Sequence, residues 1–212
     1  MGLDIYFRLY KKTRERNEGE SIYEYKEDLA KSANASFIVE AKKAIKEGIA
    51  KMEEAIKNDK FSSYLIINFK YDMKKYFPYD FERRDLENAK TVDDVEAWAK
   101  KIDWNLVFKP EDAYFRKVNC IYAYFSERLE DETCIVTKDD ILEIIDRATR
   151  ILANKGNVEL AKNLLPTQSG FFFGSTEYDE WYYQDMVSIL TEFGKLLSNW
   201  KDNDLCFVYM SW

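Results

Sequence analysis

Histidine is absent from the 212 residues, and with it go the commonest metal ligand and the commonest general base. Ser-His-Asp catalysis, Cys-His catalysis and His-zinc chemistry are thereby excluded. Proline occurs three times and glycine seven times, and 46% of the chain is hydrophobic, which excludes a collagen-like, low-complexity or disordered protein. The three cysteines, Cys120, Cys134 and Cys206, are odd in number and widely spaced. They form neither a Cys-x-x-Cys metal pattern nor a disulfide framework, which points to a reducing cytoplasm. No apolar run approaches the ~18 residues of a membrane helix. The opening MGLDIYFRLYKK also lacks the basic-then-apolar layout of a secretion signal. A soluble, cytoplasmic protein with no membrane partner is expected.

A basic surplus is missing as well. Net charge is −7, and residues 1–110 hold 22 basic and 21 acidic side chains against 10 and 18 in residues 111–212. The C-terminal half therefore carries −8, which disfavours nucleic acid as a partner. Such a half suits a basic protein surface, or serves simply as a solvated acidic face.

What the chain has is aromatic residues and helical spacing. Leu3, Ile5, Phe7 and Leu9 alternate with Asp4, Tyr6 and Arg8, the pattern of a half-buried strand. Leu205 to Trp212 is rich in β-formers and follows the turn-like Lys-Asp-Asn-Asp at 201–204, so it reads as a second strand. Between them the spacing is mostly helical. Residues 11–34 read as charged and irregular with a weak element around Ile22 to Tyr25, and a helix runs from Ser36 to about Asn58. The run 64–69 fits either a strand or a helix. Thr91 caps a helix through Ile102, Pro110-Glu-Asp opens another, and Thr137 with Asp140 resembles a capping box. The expected fold is α+β, a helix-dominated single domain 1–212 with a small sheet formed by the two terminal strands. Residues 11–110 are a candidate helical insertion or subdomain beside a core made by 111–212.

The opening MGLDIYFRLYKK, the segment AYFRKVNCIYAYF (113–125) and LLPTQSGFFFGSTEYDEWYYQDM (164–186) resemble a family of small proteins encoded by bacteriophages and prophages, for which no activity is assigned. The resemblance covers a little under half of the chain and implies a phage origin without supplying a reaction. Members usually carry a histidine where this chain has Tyr122, so a catalytic histidine is not central here.

Two stretches are the candidate site. In the first, Gly170 and Gly174 bracket three phenylalanines. Ser175 and Thr176 are candidate N-caps for a helix from about Tyr178 to Trp200, with Glu177, Asp179 and Glu180 around its start. The bland reading is a turn anchored by its phenylalanines. The functional one is a loop whose Gln168, Ser169, Ser175, Thr176, Tyr178, Asp179 and Tyr182 line a ligand or partner site. In the second stretch, Arg116, Lys117, Asn119 and Tyr122 offer two cations, an amide and a phenol. Arg116 and Lys117 can instead pair with the acids of 177–185. Those acids show no metal-ligand spacing, so no metal and no cofactor is expected. Cys120 lies on an apolar helix face and reads as packing. The segment Lys74 to Arg84 mixes aromatics with basic residues and reads as a surface loop anchored by Phe77, Tyr79 and Phe81 rather than as a nucleic-acid platform.

Three functions compete. The favoured one is a non-catalytic, phage-encoded binding protein acting on a host or defence protein through its acidic, aromatic C-terminal half. The alternative is a small polar, nucleotide-like ligand held between the 116–122 helix and the 168–178 loop. The third is a metal-assisted enzyme without histidine.

Overall fold

The computed structural model describes residues 2–212. The fold is α+β, 57% helical, with eight α-helices and one four-stranded antiparallel sheet among the described residues. In chain order these are β1 (Asp4–Lys11), α1 (Ile22–Lys57), α2 (Ser63–Met73), α3 (Asp80–Glu87), α4 (Val92–Lys100), β2 (Ala113–Arg116), α5 (Asn119–Phe125), β3 (Thr133–Val136), α6 (Lys138–Ala153), α7 (Val158–Leu164), α8 (Glu180–Asn199) and β4 (Asp204–Ser211). The chain divides into two compact units, Met1–Ala30 with Glu111–Trp212, and Lys31–Pro110.

In the first unit the strands run in the order β2-β1-β4-β3. Alternation along β1 sends Ile5, Phe7 and Leu9 to one face, where register sets them beside Met210, Val208 and Cys206 of β4. All six are buried. Phe7 is the hub: its ring meets Phe193 of α8 at 4.9 Å, Phe125 of α5 at 5.9 Å and Phe115 of β2 at 6.0 Å, all edge-on. On the opposite face Phe207 is covered by Tyr25, whose ring lies 6.1 Å away. That contact holds the first turns of α1 on the sheet. The second unit has a separate core in which Phe77 and Trp98 meet edge-on at 5.2 Å. Gly48 lets α1 and α2 close together there, since a Cβ would stand 2.4 Å from the Phe69 ring.

Both terminal strands form, and the two threonine-led helices begin where expected. Thr91 and Thr137 each accept from the backbone N–H three residues on, and Asp94 and Asp140 return the bond. Two expectations need correction. The chain after Pro110 is extended, and Ala113–Arg116 is a strand rather than a helix start, because Phe115 and Ala113 pair with Ile5 and Phe7 far away in sequence. The segment read as irregular is helical from Ile22, where Ser21 and Glu24 form a reciprocal cap. The 64–69 run, which fitted either element, lies in helix α2.

Candidate binding site

The loop 166–178 joins α7 to α8. Its anchor is Asn119, the first residue of α5 and 4% exposed. The Asn119 amide nitrogen donates to the carbonyls of Ser175 at 2.8 Å and Phe173 at 3.3 Å, and its oxygen accepts from the Gln168 backbone N–H at 3.4 Å. One buried side chain thus ties together both limbs of the loop. The Phe172 carbonyl accepts from Leu3 at 3.1 Å, fixing the loop to the entry of β1. The phenol of Tyr178 accepts from the Thr167 N–H, and the Tyr182 hydroxyl donates to the Leu165 carbonyl at 2.8 Å.

The glycines are needed at the tip. Gly170 sits on the Phe173 ring, where a Cβ would stand 2.6 Å from ring carbon. Gly174 has φ +94° and lies against the Lys117 backbone, which itself adopts φ 61° as β2 turns into α5. Phe173 is buried, with Tyr122 edge-on at 4.6 Å and Trp212 at 5.9 Å. Phe172 is half-buried, and Phe171 is 93% exposed. Three consecutive phenylalanines therefore divide into an anchor, a spacer and a protruding tip.

The two predicted stretches do meet, but they close directly on one another. Asn119, Tyr122, Tyr178 and Tyr182 are packed into the junction, and Asn119 and Tyr182 are buried. Gln168, Ser169, Ser175, Thr176, Asp179, Arg116 and Lys117 are exposed. The expected caps are displaced: Asp179, not Ser175 or Thr176, caps α8, accepting from Trp181 at 2.9 Å and Tyr182 at 3.2 Å. Ser175 instead accepts from the Glu177 N–H, and the Thr176 carbonyl accepts from Thr167. The expected pairing of Arg116 and Lys117 with the 177–185 acids is absent among the described residues. Glu180 bonds Lys155 at 2.7 Å, and Arg116 and Lys117 lie over Gly2.

No family model, curated protein or solved structure matches this chain. The site is therefore read from its own chemistry. Burial pushes the Cys120 thiol up to about 12, so it is not a thiolate nucleophile at neutral pH. Among the described residues no cluster of carboxylates and thiols is arranged to hold a metal ion, and no helix is long and apolar enough to cross a membrane.

Asp185, in α8, lies outside the residues the sequence assigns to the site. Burial, then the Asp179 charge, pushes its carboxyl up to about 6, and no hydrogen bond from the described residues reaches it. Its signal was positional: it lies one helical turn on from Tyr182, between the exposed and buried stripes of α8. A raised carboxyl titration means that the folded state prefers the proton. The penalty is absent below the ordinary carboxylate range and grows as pH rises through about 6. Two pH units correspond at most to about 3 kcal/mol, and partial exposure reduces this to roughly 1 kcal/mol. Asp185→Asn is therefore expected to raise Tm by about 2–4 °C at pH 7.5 and to leave it unchanged at pH 4, measured by paired thermal melts.

Proposed function

We propose that this chain is a non-catalytic binding protein that presents Phe171 to a protein partner from the loop 166–178. The observation that carries this reading is an apolar ring at 93% exposure on a loop whose backbone is clamped by a buried amide. Burying such a ring contributes about 2–3 kcal/mol to an interface. Because the loop is already ordered, little of that gain is lost to fixing the chain on binding. Trp181, 74% exposed in the first turn of α8, adds a second aromatic of the type enriched at interface anchors. The surplus of 18 acidic over 10 basic side chains in residues 111–212 supports steering toward a basic surface.

A small-ligand pocket at the loop has less support. The Gln168, Thr167 and Glu177 N–H groups that would line it are all bonded within the loop or to Asn119. The phage-protein resemblance of the same segments makes a host or defence component in the cytoplasm the proposed partner class. The test is native mass spectrometry of the protein isolated gently from the cells that naturally contain it, beside Phe171→Ala. The expected result is a companion protein with the parent and at least a ten-fold smaller fraction of complex with the variant, at unchanged Tm. An adduct of a few hundred daltons and no companion would replace this reading with the small-ligand one.

A further inference from the structure

A second feature lies within Lys31–Pro110, independent of the loop and of the function proposed for it. A cleft of about 510 Å³ opens between α3, α4 and the segment 102–107. That volume falls in the ordinary range for small-molecule pockets, about 300–1,000 Å³. Its deep wall is the buried trio Phe77, Trp98 and Val107. Its lip is Phe81 and Leu106, which remain 76% and 68% exposed. The segment 74–84 was expected to be anchored by three aromatics. Only Phe77 is buried; Tyr79 is 50% exposed and Phe81 stacks on it at 5.8 Å, outside the core. A chain of this size gains nothing in stability by leaving Phe81 and Leu106 in water around an apolar hollow.

The polar groups of the cleft are nearly all committed elsewhere. The Trp98 indole N–H donates to the Glu82 carbonyl at 3.1 Å, so the deep wall presents carbon. The Glu82 carboxylate accepts from the Tyr79 N–H, Asp103 accepts from Asn105, and Asp85 is bonded by Lys101 at 2.7 Å. The Arg84 guanidinium donates no hydrogen bond and forms no ion pair among the described residues, and it stands exposed on the rim. With Glu82, Asp85 and Asp103 held by those bonds, the guanidinium with open donors beside a carbon-walled hollow suits an apolar body bearing an anionic group.

We infer that this cleft binds a small amphipathic anion, with an aromatic or branched apolar body against Phe77 and Trp98 and its carboxylate or equivalent oxyanion on Arg84. The probe is 8-anilinonaphthalene-1-sulfonate, with N-phenyl-1-naphthylamine as its uncharged counterpart. Both are titrated against the full chain by fluorescence, with energy transfer from tryptophan and calorimetry for stoichiometry. The sulfonate is expected to bind at one site per chain. Arg84→Ala, at an exposed position, should weaken it about ten-fold while leaving the uncharged probe unaffected. Leu106→Trp, which places an indole across the lip, should remove both, with circular dichroism unchanged. Phe81→Ala serves as a second lip variant and should weaken both probes. Non-saturable binding, affinity unchanged by Leu106→Trp and Phe81→Ala, or equal loss of both probes on Arg84→Ala would each overturn the inference.

Discussion

Phe7→Ala is expected to cost about 3–5 kcal/mol of stability and to lower Tm by roughly 10 °C, the largest single effect in the molecule. Phe7 is fully buried and touches aromatic rings from β2, α5 and α8 at once. Removing it deletes the transfer gain of a whole ring and leaves a hollow whose walls come from three elements. Those walls cannot collapse together, because β1 is pinned between β2 and β4 by hydrogen bonds on both sides. The cost should therefore sit toward the upper end of that range. Urea denaturation of parent and variant measures it; a loss below 1 kcal/mol would mean that the sheet face is not packed as described. Leu142→Ala is the comparison, since that side chain is 52% exposed and should change stability by under 0.5 kcal/mol.

The second large effect is at Asn119. Asn119→Ala removes two donated bonds and one accepted bond, and it leaves the Phe173 carbonyl in a buried place without its partner. The 2.8 Å bond to Ser175 contributes about 1 kcal/mol and the two longer bonds less, and an orphaned buried carbonyl costs about 1–3 kcal/mol, so a loss of roughly 3 kcal/mol is expected. Asn119→Asp should be at least as damaging, because a carboxylate turns lone pairs toward two carbonyls where the amide offered hydrogens. The functional readout differs from the stability one. Amide hydrogen exchange at Gln168 should accelerate by about a hundred-fold in Asn119→Ala, matching the lost local stability, while Ser175→Ala leaves it within a factor of a few. Ser175 is exposed and its hydroxyl holds only the Glu177 N–H.

How much of this was written in the sequence depends on the range of the interaction. The first strand was legible because Leu3 to Leu9 alternate long enough to set a face, and the last because Leu205 to Trp212 is rich in β-formers and follows a turn-like run. The caps of α4 and α6 were legible because Thr91 and Thr137 act on residues three positions away. The Ser21-Ile-Tyr-Glu24 cap carried the same signal and marks the true start of α1; the charged residues that follow concealed it. β2 was not legible. Four residues show two inward and two outward side chains, and what makes them a strand is pairing with β1 more than a hundred residues away. The site divides the same way. Gly170 and Gly174 announced a tight loop, and the bracketed phenylalanines announced an anchor. Which phenylalanine stays out, and that Asn119 closes the loop, follow from contacts between segments about 50 residues apart. The cleft within Lys31–Pro110 depends on where α3, α4 and Leu106 meet, and no spacing in the sequence encodes that.

Phe171 is proposed as the contact point of a preformed loop. The photo-crosslinking residue p-benzoylphenylalanine is placed at position 171, and separately at the 52% exposed Leu142, in the protein expressed in its natural cells. One discrete crosslinked protein band is expected from position 171 and none from position 142. The 171 band should fade when Asn119→Ala loosens the loop. The absence of any band from 171, or the same band from both positions, would contradict it.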